Sequence, residues 1–262
     1  MKITILTLFP LMFKGFIEES IIKRAIDKKV VEIEIVDIRD YSLNKHKHVD
    51  DTPCGGGAGM VLQVDICHRA IVDNSTNKSR VLMMTPQGKK YNQAFAEELS
   101  KEEDIVLLCG HYEGFDERIR GYVDDEVSIG DFVLTGGELA SMVIADSVIR
   151  LLDNAIKEES HLDDSFSTGL LEYPQYTRPV EYDGKSVPQV LLSGNHKEIK
   201  LFRKKEALRR TYLKRPDLLK SYEFSDLDRK LLEEVIEEEK KWDKQEYYYI
   251  FLRCLVIIAL VL

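Results

Sequence analysis

Residues 1–150 alternate short apolar runs with segments of helical periodicity. Apolar or alternating runs predict strands at Ile3–Leu8, Val31–Val36, Val81–Met84, Ile105–Cys109 and Glu126–Ile129. Apolar positions with a helical period follow Pro10 and predict further helices at Val64–Val72, Asn92–Leu99 and Leu139–Leu152. Strands that alternate with helices in this way favour an α/β domain with a parallel sheet covered by helices.

Three of the predicted strands end at glycine or proline. The loops that follow them are TPQG (Thr85–Gly88), GHYEG (Gly110–Gly114) and GDFVLTGG (Gly130–Gly137). We expect the Pro-Gln-Gly of the first loop to end its strand, because such residues break regular structure. Ligands of open parallel sheets bind beyond the carboxyl ends of the strands. The three loops therefore predict one ligand pocket.

The pattern changes after residue 152. Asp153–Pro174 lacks clear periodicity and is rich in Asp, Glu and Ser, which is typical of a linker. Beyond it, Asn195 is a suitable N-cap for a helix that runs to Lys214, and helical patterns restart after Pro216 and near Ser225. The predicted organisation is a sheet domain at 1–160, an interdomain linker at 161–174, a small helical domain at 175–246 and an apolar tail at 247–262.

The tail, YYYIFLRCLVIIALVL, is almost wholly apolar. It is shorter than the roughly 20 residues that a membrane-spanning helix needs, so we expect no stable membrane association. A packed helix, a partner-facing segment and a weak membrane anchor remain open as its role. We also expect no N-terminal signal peptide, and Cys54, Cys67, Cys109 and Cys254 have no CxxC spacing. These features favour a reducing, cytoplasmic compartment and disfavour a zinc or redox motif.

The distribution of charge bears on whether the chain can bind a polyanion. A formal net charge of −9 disfavours a polyanionic partner for the chain as a whole. Positive charge is nonetheless concentrated in Lys197–Arg215, the basic block. Because salt screens exposed charges beyond roughly 8 Å, this block can still bind phosphates. A solvated helix face is the alternative interpretation.

Three polar motifs are ambiguous when taken alone. CGGGAG (Cys54–Gly59) lacks the ending of a Walker loop, so it is either a flexible loop or a place of close backbone approach. The histidines and aspartates of His46–Asp51 fit either a metal site or a polar loop near nucleic acid. The acidic residues of GHYEGFDERI (Gly110–Ile119) either accept hydrogen bonds from a base edge or stabilise the start of a helix.

A series of longer motifs is specific enough to be compared with known families. They are LTLFP (Leu6–Pro10), VDDTPCGGGAGMV (Val49–Val61), TPQG (Thr85–Gly88), CGHYEGFDERI (Cys109–Ile119), SIGDFVLTGGELA (Ser128–Ala140), DDSFSTGLLEYPQYTRP (Asp163–Pro179), VPQVLLSGNH (Val187–His196) and RRTYLKRPDLL (Arg209–Leu219). In this order the chain resembles the bacterial tRNA (guanine-N1)-methyltransferases, a family of the knotted SPOUT superfamily. Several of the motifs are long and unusual in composition, so chance is a poor explanation.

The resemblance implies a fold and partners that periodicity cannot reveal. It implies a deep trefoil knot in the parallel-sheet domain, although knots are rare among protein folds. It also implies a homodimer, in which each active site lies between the sheet domain of one subunit and the helical domain of the other, and tRNA as the substrate. Two other functions remain open, namely a non-catalytic RNA-binding dimer and a related methyltransferase that acts on another RNA atom.

The resemblance also assigns ligands to residues. S-adenosylmethionine, the methyl donor, would contact Gly110, Ile129, Gly130, Asp131, Phe132, Val133 and Leu134, with Met83, Met84, Pro86, Gly136 and Gly137 beside them. Substrate contacts would come from His46, Asp50, Glu113 and Ser165, with Glu113 at the guanine edge. No residue is predicted to bind a metal; the family has been linked to magnesium, which we keep as a second cofactor to be tested.

Catalysis is assigned, again from the resemblance, to Asp164 and Arg150. The target is N1 of the guanine 3′ of the anticodon, position 37 of the tRNA, and N1 carries a proton that must be removed. A carboxylate with an ordinary pKa of about 3.9 is a weak base. It is adequate only where the negative charge developing on the guanine is stabilised, which is the expected role of Arg150 near O6. The basic block would hold tRNA phosphates.

Overall fold

The computed structural model describes residues 1–156 and 165–241. Within the chain two compact units are separated between residues 161 and 162. The first unit contains the main sheet, and the second is mostly helical. Asp164 and the apolar tail 247–262 lie outside the described residues, as does part of the predicted linker.

The first unit is built on a parallel sheet. Its strands are β1 (Lys2–Thr7), β2 (Glu32–Asp37), β3 (Asp50–Asp51), β4 (Val61–Leu62), β5 (Ser79–Lys90), β6 (Asp104–Leu108) and β7 (Asp125–Ser128). Five of them form one sheet in the order β2-β1-β6-β5-β7, with every neighbouring pair parallel. The short strands β3 and β4 pair antiparallel beside it. The predicted α/β class with a parallel sheet is confirmed.

Helices cover both faces of this sheet. They are α1 (Lys14–Glu18), α2 (Ser20–Asp27), α3 (Val64–Asn74), α4 (Gln93–Leu99) and α5 (Glu138–Ile149). One apolar core contains side chains of α2, α4 and α5, and a second, on the other face, contains those of α3. The inner strands β1 and β6 carry apolar side chains to both faces, which explains why their runs are continuous, whereas the edge strand β2 alternates.

The prediction that the TPQG loop ends β5 is wrong. β5 continues to Lys90, and Met84 and Lys89 both pair with Val127, so the four residues between them are looped out of a continuous strand. Gly88 makes this possible, since a Cβ there would lie 2.4 Å from the backbone carbon of Glu126. Pro86 is tolerated because the looped-out part needs no ladder hydrogen bond.

The described part of the second unit is a small helical assembly with a hairpin. Its elements are the hairpin β8 (Glu181–Tyr182) and β9 (Lys185–Ser186), then α6 (Gln189–Leu192), α7 (His196–Lys214) and a further helix, α8, at residues 226–241. Asn195 caps α7 as predicted, because its side chain accepts hydrogen bonds from the N–H groups of Lys197 and Glu198. The hairpin was not predicted; Asp183 and Gly184 both have positive φ, as its tight turn requires.

The basic helix α7 is paired with the acidic helix α8. Lys205 Nζ lies 2.9 Å from carboxylate oxygens of both Glu234 and Glu238. Arg209 also pairs with Glu238, and with Glu239 beside it. Part of the basic block is therefore neutralised within the unit. Among the described residues, no helix is both long and apolar enough to cross a membrane.

Candidate functional site

A cavity of about 380 Å³ opens at the looped-out part of β5, where β6 and β7 end and α5 begins. Its volume falls in the range of roughly 300–1,000 Å³ that is typical of small-molecule sites. The three loops that the sequence predicted to converge on one pocket do so. Parallel strands deliver their carboxyl ends to one edge of the sheet, which is why these loops, far apart in sequence, share one cavity.

The residues expected to contact the cofactor are brought together here. The cavity is lined by Met83, Met84, Pro86, Gly110, Ile129, Gly130, Phe132, Val133, Leu134, Gly136 and Gly137, and by Glu113, which is expected to contact the substrate. Asp131 is the exception among the expected cofactor residues. Its side chain is 91% exposed, and its carboxylate lies 3.3 Å from Lys90 Nζ. Asp131 lies in the bend after β7, where the N–H of Phe132 donates to the carbonyl of Gly130 over 3.0 Å.

Backbone rather than side chains forms the inner wall. The N–H of Gly137 donates to the carbonyl of Gly110 over 2.8 Å, which joins the loop after β6 to the start of α5. A Cβ on Gly137 would lie 2.8 Å from both Cys109 Cα and Gly110 N. Only glycine permits this approach, so the wall can present backbone donors and acceptors to a ligand.

A buried carboxylate lies behind the glycine pair. Glu138, the first residue of α5, is only 2% exposed. Its Oε1 accepts a hydrogen bond of 2.9 Å from Thr7 Oγ1, at the end of β1. A Cβ on Gly136 would lie 2.3 Å from Glu138 Oε2 and 2.8 Å from His111 Nδ1. The N-terminus of α5 favours this negative charge. Sequence reasoning missed the arrangement because Thr7 and Glu138 are distant in the chain.

The CGGGAG motif meets the GHYEG loop through its last glycine. A Cβ on Gly59 would lie 2.3 Å from Glu113 Oε1, and Gly59 has φ +82°. The two loops are joined by hydrogen bonds from Glu113 N to Met60 O, 3.0 Å, and from Leu62 N to Gly114 O, 2.9 Å. The close-approach interpretation therefore holds at Gly59, where the absent side chain leaves room for that of Glu113.

The end of the GHYEG loop is fixed by a charged cap. Asp116 accepts hydrogen bonds from the backbone N–H and the guanidinium of Arg118, and its pKa is lowered to about 2, first by the side-chain hydrogen bond from Arg118. The N–H of Asp116 in turn donates to Leu62 O over 3.0 Å. These bonds hold Glu113, three residues earlier, in a loop fastened on both sides.

The remaining predicted residues lie elsewhere. His46 is exposed in the loop before β3, Asp50 is half-buried in β3, and neither lines the cavity. Arg150 follows the last residue of α5; 12 residues at 1.5 Å each put the two ends of that helix about 18 Å apart. Ser165 belongs to the second unit, and Asp164 is outside the described residues.

The histidine and aspartate motif His46–Asp51 is the place where the sequence left a metal site open. Within residues 1–156 and 165–241, no group of three or more His, Cys, Asp or Glu side chains is arranged to hold a metal ion. The rings of His46 and His48 meet edge to face at 6.0 Å instead. No residue of the described chain is assigned to magnesium.

Comparison with known proteins gives a consistent result over nearly the whole chain. Residues 1–221 match the family model described as "tRNA (Guanine-1)-methyltransferase TrmD". The chain is similar to the tRNA (guanine-N(1)-)-methyltransferase of Bacillus pumilus, at 54% identity over 247 residues, covering 92% of this chain and 97% of the relative.

Two further relatives carry the same name. That of Macrococcus caseolyticus is 57% identical over 235 residues, covering 89% of this chain and 98% of the relative. That of Bacillus subtilis is 52% identical over 250 residues, covering 94% and 100%. A family model that spans most of the chain, and relatives matched over almost their full length, lead to one conclusion: the chain belongs to the tRNA (guanine-1)-methyltransferase TrmD family.

Proposed function

We propose that this protein is a tRNA (guanine-N1)-methyltransferase that transfers a methyl group from S-adenosylmethionine to N1 of the guanine 3′ of the anticodon, position 37. The observation that carries the proposal is the cavity at the strand ends, lined by motif residues of the family to which the chain belongs. Since tRNA is its substrate, we also propose that it acts in the cytoplasm.

S-adenosylmethionine suits the chemistry of this cavity. Main-chain groups of the glycine-rich wall are available to the polar edges of the adenine and the amino acid part, while Met83, Met84 and Ile129 offer apolar contact. When bound, the cofactor supplies an electrophilic methyl group on its sulfonium. The protein's own contribution is to hold that group in line with the acceptor nitrogen and to exclude water.

The acceptor guanine needs recognition and a base. Glu113 lies on the cavity wall, and its carboxylate can accept hydrogen bonds from the amino and imino groups of a guanine edge. Asp164 is the proposed general base that takes the proton from N1. Arg150 is proposed to stabilise the charge that develops toward O6. His46, Asp50 and Ser165 are proposed to contact the RNA nearby.

A homodimer with a knotted sheet domain and a helical RNA-binding domain is part of the proposal. Apolar side chains exposed on the first unit support the dimer: Leu139 and Val143 lie one turn apart on α5, and Leu11 and Met12 lie on the short 3-10 helix Pro10–Phe13 that α5 contacts. Leu11 is 86% exposed. Clustered apolar exposure of this kind marks protein interfaces.

The decisive experiment is the substitution Asp164→Asn. We expect methyl transfer to tRNA to fall by about 100- to 10,000-fold, the usual contribution of a general base. S-adenosylmethionine binding, measured by calorimetry, should remain unchanged. Asp153→Asn, a change of an exposed aspartate, serves as the matched control and should keep full activity.

Mapping the modified nucleoside completes the test. Appearance of 1-methylguanosine at position 37 is expected. A methyl group on another atom would instead assign the protein to a related reaction, and binding of tRNA without any cofactor binding would leave a non-catalytic RNA-binding dimer. Near-normal turnover by Asp164→Asn would remove Asp164 as the base.

A further inference from the structure

The residues that follow Asp164 in the chain form a closed turn. The N–H of Phe166 donates to Leu170 O over 2.8 Å, and the N–H of Gly169 donates to Phe166 O over 3.0 Å. The N–H of Glu172 donates to Ser165 Oγ over 3.0 Å. Ser165 is thus tied by its own side chain to a residue further along the turn. We name residues 165–173 the anchor segment.

The anchor segment is fastened to α7 by apolar burial. Leu170 is 1% exposed and packs with Ala207 and Leu208 of α7 and with Leu231 of α8. A Cβ on Gly169 would lie 3.2 Å from the ring of Tyr222, so this glycine lets the segment lie close to the unit's core. Of the apolar side chains in the anchor segment, Leu170 is the one that is fully buried, so its burial decides where the segment docks.

The hydroxyl of Thr211 makes the buried polar connection between α7 and the anchor segment. Thr211 is fully buried on α7. Its Oγ1 accepts a hydrogen bond of 2.9 Å from the N–H of Leu171 and donates one of 2.7 Å to the carbonyl of Ala207. Both hydrogen-bonding functions of the hydroxyl are therefore used. Without it, the partly buried N–H of Leu171 would lose this partner, which costs free energy.

Basic residues of α7 and its C-terminal end complete the attachment. The guanidinium of Arg203 lies 4.8 Å from the ring centroid of Tyr173, and that of Arg215 lies 5.8 Å from the ring centroid of Phe166. Arg210 Nη1 donates to the carbonyl of Glu172 over 3.4 Å. Three cations of the basic block therefore hold this unit's own anchor segment.

We propose that Thr211 is a positioning residue for the methyl transfer reaction. It fixes Leu171 on α7, and the Ser165–Glu172 bond passes that constraint to the residue directly after Asp164. This inference rests on the proposed function, because it assigns Thr211 a role only through Asp164 as the base. Displacement of a catalytic group by about 1 Å is enough to slow a reaction on the order of 100-fold.

The test uses two substitutions of nearly equal size. Thr211→Val keeps the branched shape but removes the hydroxyl, and Thr211→Ser keeps the hydroxyl. In single-turnover methylation of tRNA we expect Thr211→Val to be about 10- to 100-fold slower, with unchanged affinity for S-adenosylmethionine and for tRNA. Thr211→Ser should recover most of the rate. Normal single-turnover rates for Thr211→Val would overturn the proposal.

A double-mutant cycle separates positioning from general damage to the fold. If Thr211 acts through Asp164, the double variant Asp164→Asn with Thr211→Val should be no slower than Asp164→Asn alone. Additive losses, or an equal loss of tRNA affinity, would show a merely structural role. Full activity of Asp164→Asn would refute the proposed base. A slow Asp164→Asn beside a normal Thr211→Val would refute the positioning role alone.

Discussion

The cavity of the first unit and the anchor segment of the second are organised in opposite ways. The cavity wall is made by main chain meeting main chain, at Gly110 and Gly137, where no side chain fits. The anchor segment is held mainly by side chains of α7, above all Thr211. The cavity wall depends on the absence of side-chain atoms, so it does not tolerate an added methyl group. The anchor segment depends on individual side-chain groups, so a conservative replacement that keeps the group can preserve its attachment.

The largest effect is expected where the backbone wall admits no Cβ. Gly137→Ala places a methyl group 2.8 Å from Cys109 Cα and Gly110 N, so the loop after β6 must move. We expect an affinity for S-adenosylmethionine reduced about 100-fold and a free energy of unfolding lowered by roughly 1–3 kcal/mol. Calorimetric titration and urea unfolding measure the two effects.

The matched control for this prediction is Gly121→Ala. A Cβ at Gly121 would meet no atom within 4 Å, and its φ needs no glycine. This variant should bind the cofactor normally. Equal effects of the two substitutions would show that the close backbone contact at Gly137 is not what requires glycine there.

A second prediction concerns the buried polar contact behind the wall. Thr7→Val removes the donor to Glu138 Oε1 and the acceptor of the Phe9 N–H. Leaving a buried carboxylate oxygen without this partner should lower the free energy of unfolding by about 1–3 kcal/mol. Thr7→Ser should lose much less. Urea unfolding of the three proteins compares them, and identical midpoints would show that the hydrogen bond contributes nothing.

A third prediction separates the two roles of the basic block, which are binding of tRNA phosphates and pairing with carboxylates of α8. Lys197, Lys200 and Lys214 are exposed, and no carboxylate lies within pairing distance of them in the described chain. Replacing all three by Gln should weaken tRNA binding about tenfold and flatten its salt dependence, by up to about 0.9 in the logarithmic slope for each phosphate that is no longer neutralised. Filter binding at several salt concentrations measures both.

The comparison for this prediction is Lys205→Gln. Lys205 is already paired with Glu234 and Glu238. Its replacement should change the stability of the helical unit rather than the salt slope of tRNA binding. A triple variant with unchanged slope would remove the exposed lysines from the RNA-binding surface.

The smallest effect is expected on the pH dependence of the free energy of unfolding. Side-chain hydrogen bonds from Arg209 and Lys205 lower the pKa of Glu238. A carboxylate whose pKa is lowered by folding stabilises the fold above its unfolded pKa, and that contribution is lost as pH falls through the folded value. Glu238→Gln should therefore reduce the loss of stability between pH 5 and pH 3, by less than about 1 kcal/mol because the pair is partly exposed.

Unfolding monitored at these two pH values checks the prediction. Glu223→Gln, a change of a carboxylate with no ion pair among the described residues, is the control. An unchanged acid sensitivity of Glu238→Gln would show that the pairing of α7 with α8 contributes little to stability.

Much of the sheet unit is readable from the sequence because its signals are local. Runs such as Ile105–Cys109 predict β6, and the breakers after them predict the loops that line the cavity. The continuation of β5 past Pro86 was not predictable, since it depends on Val127, a residue of another strand. Nor was the Thr7–Glu138 bond, which joins positions 131 residues apart.

The helical unit was less readable, for a related reason. Asn195 and the helix after it carry a local capping signal, and the structure has both. The anchor segment carries none: it falls within Asp153–Pro174, whose composition is typical of a linker, and the contacts of Leu170 and Thr211 show that it is folded. Likewise, the charge of α7 predicted phosphate binding, whereas part of that charge is used by α8 and part by the anchor segment.

The looped-out TPQG residues of β5 show how the lining of the cavity can change during evolution. Because Met84 and Lys89 flank the TPQG loop and pair with the same residue of β7, the strand is clamped on either side of it. Residues added to or deleted from this loop change the rim of the cavity, while the register of the sheet stays the same. Insertions and deletions in this loop can therefore change which ligand fits the cavity, while the packing of the sheet is kept.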